Sequence, residues 1–155
     1  MGDPCGLVYY DDEYHLFYQY NPKGDEPGYY HWGHAKSKDL IHWEHLPVAI
    51  FPDNLSEDAE YCTIGPGSTI IDANNLLGVE KGEHKTMVAF YTSRQCGQRI
   101  AFSNDKGHTW TKYRGNPVIP FDENDNAEGP KVFWYEQGQH RSEERRVGKE
   151  CRSRW

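Results

Sequence analysis

The chain has 155 residues and a formal charge of −7, from 17 Lys+Arg against 24 Asp+Glu, a length that ordinarily supports one domain with its own core. The acidity argues against a nucleic-acid partner, whose affinity comes largely from phosphate neutralisation by Lys and Arg. No apolar run approaches the ~18–20 residues of a membrane span, so no membrane partner is expected, and a neutral substrate would meet no repulsion.

In chain order, Asp3-Pro4 forms a tight turn at the mouth of a hairpin, followed by strands over Leu7–Tyr10 and Tyr14–Tyr20 that Asp11-Asp12 separates. Further strands are expected at Tyr30–Lys36, Thr69–Asp72, Thr86–Thr92, Arg99–Ser103 and Lys131–Tyr135, all rich in Val, Ile, Tyr, Phe and Trp. Ala73-Asn74-Asn75 marks another hairpin turn. No stretch keeps apolar residues at i, i+3, i+4 and i+7 for three turns, so no helix is expected. Cys5, Cys62 and Cys96 lie far apart with no CxxC pair. Neither zinc nor a disulfide framework is indicated, and these three cysteines, with Cys151 of the C-terminal run set aside, cannot all pair.

A repeat gives the architecture. Ala35-Lys36-Ser37-Lys38-Asp39 leads to Trp43 and Pro47-Val48, and 66 residues on Ala101-Phe102-Ser103-Asn104-Asp105 leads to Trp110 and Pro117-Val118. Likewise Gly6-Leu7-Val8-Tyr9-Tyr10-Asp11 matches Gly67-Ser68-Thr69-Ile70-Ile71-Asp72, and Gly129-Pro130-Lys131-Val132 opens a third copy. Four short strands per ~60-residue unit is the pattern of a propeller blade. The expected fold is all-β, with about two blades of a β-propeller plus the first strand of a third. In each unit the Ser-x-Asp turn closes a hairpin and the Trp on the following strand can pack between blades. A β-sandwich with coincidental turns is the competing architecture.

At the C-terminus composition switches abruptly: residues 141–155 hold six Arg/Lys and three Glu. This run reads as the translation of a sequencing-library adapter, which makes 1–140 the genuine domain, 141–155 an artefactual tail, and the genuine part more acidic, at −10. A basic tail that binds a polyanion is the alternative. At the other end Met1-Gly2 runs straight into the first motif, so the chain is expected to be a fragment with a clipped N-terminus.

Asp-Pro-x-Gly at 3–6, HLFYQYNP at 15–22 and WGHAKSKDLIHWEHLP at 32–47 together resemble the N-terminal part of glycoside hydrolase family 32, which holds invertases, levanases and inulinases. The resemblance covers nearly all of residues 3–136. It implies a five-bladed parent propeller that hydrolyses β-fructofuranosides with retention and without a cofactor. It also implies that Asp3 is the nucleophile, that Gln19 hydrogen-bonds the sugar, and that Ser68 and Tyr29 contribute to substrate binding; the Trp32 ring either offers a sugar an apolar face or packs between blades. Tyr29 or Tyr30 would replace a Trp that many relatives carry in that loop. The acid/base glutamate belongs to a Glu-Cys motif; Glu150-Cys151 mimics it in the wrong surroundings and is not accepted.

All three early motifs depart from the family pattern. Asn-Asp-Pro-Asn-Gly becomes Gly2-Asp3-Pro4-Cys5-Gly6, Phe-Ser-Gly-Ser becomes Gly65-Pro66-Gly67-Ser68, and Arg-Asp-Pro becomes Glu128-Gly129-Pro130. Glu128 is thus either a displaced catalytic carboxylate or a surface acid of the loop Asp122-Glu123-Asn124-Asp125. Two rivals follow: a carbohydrate-binding propeller without catalysis, and a related five-bladed glycosidase acting on other sugars. Other chemistry fails on spacing. His31/His34 and His42/His45 sit at i and i+3, which on a strand face opposite ways, and there is neither a dinucleotide loop nor a G-x-S-x-G elbow.

Overall fold

The computed structural model describes residues 2–24, 28–53, 62–124, 127–135 and 140–144. Ten strands form: β1 (Pro4–Tyr10), β2 (Glu13–Tyr20), β3 (His31–Ser37), β4 (Glu44–Ile50), β5 (Ile64–Asp72), β6 (Thr86–Ser93), β7 (Gly97–Ser103), β8 (Thr111–Lys112), β9 (Lys131–Tyr135) and β10 (His140–Glu144). They make two four-stranded antiparallel meanders, β1-β2-β3-β4 and β5-β6-β7-β8, and a two-stranded start of a third, β9-β10. Among the described residues no helix forms. These are two propeller blades and the beginning of another.

Local chemistry explains the hairpins. Tyr10 pairs with Glu13, so the β1–β2 loop is the two residues Asp11 and Asp12. Both hold positive φ, 52° and 63°, the twist a two-residue hairpin loop needs. After β5, the Asp72 carboxylate accepts from Leu76 N at 3.0 Å and Leu77 N at 2.8 Å and folds the next turn over itself. The Ser-x-Asp repeat is repeated in structure. Asp39 Oδ1 accepts from Ile41 N and His42 N, while Asp105 Oδ1 accepts from Thr109 N. In both blades the tryptophan then returns its indole N–H to a carbonyl three residues back, Trp43 to Leu40 and Trp110 to Gly107. Each tryptophan sits one residue before its strand, not on it. Trp110 meets Phe17 of the first blade edge-on at 5.4 Å.

The core lies between the blades. Phe17, Trp32, Ile50, Ile64, Met87 and Tyr91 are all at or near full burial there, each contributing about 1.5–3 kcal/mol relative to exposure. Polar stitches cross the same seam. Ile64 N donates to Tyr30 O at 3.0 Å, Tyr30 N to Thr63 Oγ1 at 2.7 Å, and Lys85 N to Tyr10 Oη at 2.8 Å. His34 spans it from within: its Nδ1 lies 3.1 Å from Gly107 O and its Nε2 3.0 Å from His15 Nδ1.

Three expectations need correction. Cys62 and Cys96 form a disulfide with Cα atoms 5.4 Å apart. Their separation of 34 residues hid a contact that only the return of β6 beside the start of β5 creates. β4 and β8 were missed because Pro and charged residues interrupt their apolar pattern. The strands β1 and β5 begin earlier than their composition suggests. Pairing continues through a bulge between Pro4 and Gly6 and another between Ile64 and Gly67, the device by which Gly and Pro enter a strand. β10 spans His140–Glu144; residues 145–155, including Glu150-Cys151, lie outside the described residues.

Candidate active site

The inner strands β1, β5 and β9 lie side by side and parallel. Gly6 of β1 touches β5 so closely that a Cβ there would lie 3.1 Å from Thr69 Oγ1 and 3.2 Å from Thr69 N. Toward the other end of β1, Tyr10 meets Lys85, which adjoins β6 where Thr86 pairs with Asp72. Between β5 and β9, Ser68 Oγ donates to Pro130 O at 2.8 Å and accepts from Val132 N at 2.9 Å. The segments beginning at Asp3, Gly65 and Glu128 therefore share one edge of the molecule. Gly67 on that edge has no substitute, because a Cβ would fall 1.9 Å from Phe90 O.

Asp3 is exposed at the bulged mouth of β1, and its carboxylate has no hydrogen-bond or ion-pair partner among the described residues. Its backbone is fixed instead: Gln19 N donates to Asp3 O at 3.0 Å and Gly2 N to Gln19 O at 2.8 Å. Gln19 is thus the residue paired with Asp3 across the hairpin mouth, and its Oε1 lies 3.6 Å from where a Cβ on Gly2 would sit. A rigidly mounted free carboxylate next to an amide can attack an electrophilic carbon while the amide orients its hydroxyls. Cys5 between them is a packing residue. Burial, then the nearby Asp3 charge, push its thiol up to about 12, so it is protonated and unreactive.

The other expected site residues divide. Trp32 is 0 % exposed, with its Nε1 donating to Gly65 O at 2.9 Å and its ring against Phe17 and Tyr91. It has no free face for a sugar, and that expectation is withdrawn. Ser68 commits its only donor to Pro130 and serves as an inter-blade tie. Tyr29 carries the Lys23 ammonium 3.5 Å above its ring and holds φ at 51°. Glu128 shares the edge with Asp3, but its Oε1 lies 3.4 Å from Arg94 Nε. Arg94 was missed: it follows β6 in a turn whose spatial partner is 34 residues away in sequence. Among the described residues no group of three His, Cys, Asp or Glu could hold a metal.

The fold is that of a β-propeller, and sequence comparison gives the family. Residues 1–143 match the glycosyl hydrolases family 32 N-terminal domain, and the chain belongs to that family. It is 56% identical over 139 residues to the levanase of Bacillus subtilis (strain 168), covering 88% of this chain and 20% of that protein. It is 41% identical over 141 residues to the invertase of Schizosaccharomyces pombe (strain 972 / ATCC 24843), covering 86% and 24%. The crystal structure of exo-inulinase from Aspergillus awamori superposes with a TM-score of 0.79 at 37% identity, over 91% of this chain and 32% of that one. The chain thus spans between a fifth and a third of the relatives it matches.

Proposed function

We propose that the protein to which this chain belongs hydrolyses β-fructofuranosyl bonds of the sucrose, levan or inulin type, with retention. Asp3 attacks the anomeric carbon to form a glycosyl-enzyme ester as the bond to the leaving oxygen breaks. A second carboxyl group protonates that oxygen and then activates the water that cleaves the ester. Gln19 orients the sugar through its hydroxyls. The family resemblance assigns the second carboxyl to the Glu-Cys motif, and Glu128 stays outside the chemistry in this reading. The observation that carries the proposal is the carboxylate of Asp3, without a partner among the described residues and on a backbone that Gln19 N anchors, in a family whose relatives include a levanase and an invertase.

The test is Asp3→Asn in the full-length protein. Loss of a nucleophile should lower kcat on sucrose or levan by at least about 10⁴-fold, with the fold retained by circular dichroism. Retention of a tenth of the activity would end the assignment. A second reading, a carbohydrate-binding propeller without catalysis, is favoured by the Glu128–Arg94 pair standing where the family pattern has Arg-Asp-Pro. It predicts levan or sucrose binding with no cleavage by the wild-type protein. We also take residues 141–155 as foreign to the domain, which resequencing of the gene tests directly.

A further inference from the structure

Blade two carries a hollow of about 660 Å³ on the same edge as Asp3, within the roughly 300–1,000 Å³ of small-molecule sites. It opens where β6 ends and β7 begins, and Ile64 pairing with Ser93 puts that turn beside the start of β5. Arg94, Gln98, Phe121, Asp122, Asn124 and Glu128 are among its lining residues; Asp3, Gln19 and Tyr29 are not. We propose that this hollow is a second carbohydrate-binding site, which holds the body of a fructan chain whose terminal residue lies at Asp3. The inference rests on the fructofuranosidase reading for the identity of the sugar.

Three features carry it. The first is the lining. Phe121 is 42% exposed and offers a flat apolar face, while the Arg94–Glu128 pair, 45% and 43% exposed and 3.4 Å apart, keeps donors and acceptors open to a ligand. That mixture suits hydroxyls, which both donate and accept, and the carboxylates of Asp122, Glu123 and Glu128 in the lining would repel an anion. The second is rigidity. Gln98 Nε2 donates to Ala127 O at 2.7 Å, Gly129 N donates to Thr92 Oγ1 at 3.0 Å, and the Cys62–Cys96 bridge ties the turn that carries Arg94. A fixed wall lowers the ordering cost of binding. The third is span. Asp3 and Gln19 are absent from the lining of the hollow, so a sugar seated at Asp3 lies outside it, and only a ligand that extends from blade one to blade two occupies both.

The experiment compares wild type, Phe121→Ala and Phe121→Tyr in the full-length enzyme, on sucrose and on levan. We expect Phe121→Ala to raise KM for levan about tenfold, from the loss of one aromatic contact, with a change on sucrose at least fivefold smaller, and Phe121→Tyr to restore it. Equal changes on both substrates, or an unmoved levan KM, would overturn the site. Levan affinity electrophoresis of the same proteins decides the matter independently of cleavage: retardation of wild type that Phe121→Ala abolishes supports the site, and equal retardation refutes it. If wild type is retarded but cleaves nothing, the catalytic reading has failed and the binding site stands.

Discussion

The indole of Trp32 fills the seam between the blades, so its removal takes away both a large buried ring and the donor that satisfies Gly65 O. Trp32→Ala should cost about 3–5 kcal/mol, read as a lowered urea midpoint in the full-length protein. Trp32→Phe keeps most of the volume but leaves the carbonyl unpaired, a cost of about 1–3 kcal/mol. A loss below 1 kcal/mol for the alanine variant would show that the seam is not packed as described. At the same scale the sequence was legible only in part. Asp3 and Gln19 stand next to each other because they sit on adjacent strands of one short hairpin, which residue order reveals. Trp32 was ambiguous between sugar and seam, and only the position of the second blade decides between them.

At the scale of elements, the blades are joined by a pair of imidazoles. Gly107 O can only accept, so His34 carries its proton on Nδ1 and accepts at Nε2 from the Nδ1–H of His15. Both rings are therefore neutral in the fold. Burial, then His15, push His34 down to about 3 from an ordinary 6.5, and burial also lowers His15. Lys36 and His108 add to the depression of both, while Glu13 opposes it at His15. The unfolded chain takes up these protons near pH 6.5, whereas folded His34 resists until about pH 3 and burial holds folded His15 below its ordinary value. Stability from this pair is thus full above pH 6.5 and falls as pH drops toward 3. Urea midpoints of the full-length protein should decline from pH 6.5 to 4.5, with a shallower slope in His15→Gln; identical slopes would contradict the arrangement. The Cys62–Cys96 bridge gives a second element-scale expectation. Closing a loop across 34 residues of sequence, it should contribute about 3–4 kcal/mol, lost in Cys62→Ser or on reduction. An unchanged midpoint under reductant would argue against it.

At the scale of the molecule, two of the described strands present apolar side chains to solvent. β1 presents Leu7 and Tyr9 at 56% and 55% exposure, and β9 presents Phe133 and Trp134 at 39% and 43%. Exposed apolar faces on strands invite association. The isolated chain should therefore self-associate with concentration in light scattering, and show no cleavage of sucrose or levan. A monodisperse chain that cleaves either sugar would overturn both expectations. The blade repeat that contains these strands is readable from sequence because it recurs every ~60 residues. The strands β4 and β8 escaped because their pairing, not their composition, makes them strands.

The order of residues alone determined the period of the fold, the hairpin turns, and the placement of Asp3 and Gln19 at one strand mouth. These follow from short-range rules: alternation, turn chemistry and spacing act over a few residues. Tertiary structure alone decided that Trp32 and Ser68 bind neighbouring strands and that Cys62 reaches Cys96. It also decided that Glu128 faces Arg94 and that His34 is neutral. Each of these depends on which distant strand comes to lie alongside, and burial and partners set side-chain roles only once the blades have packed.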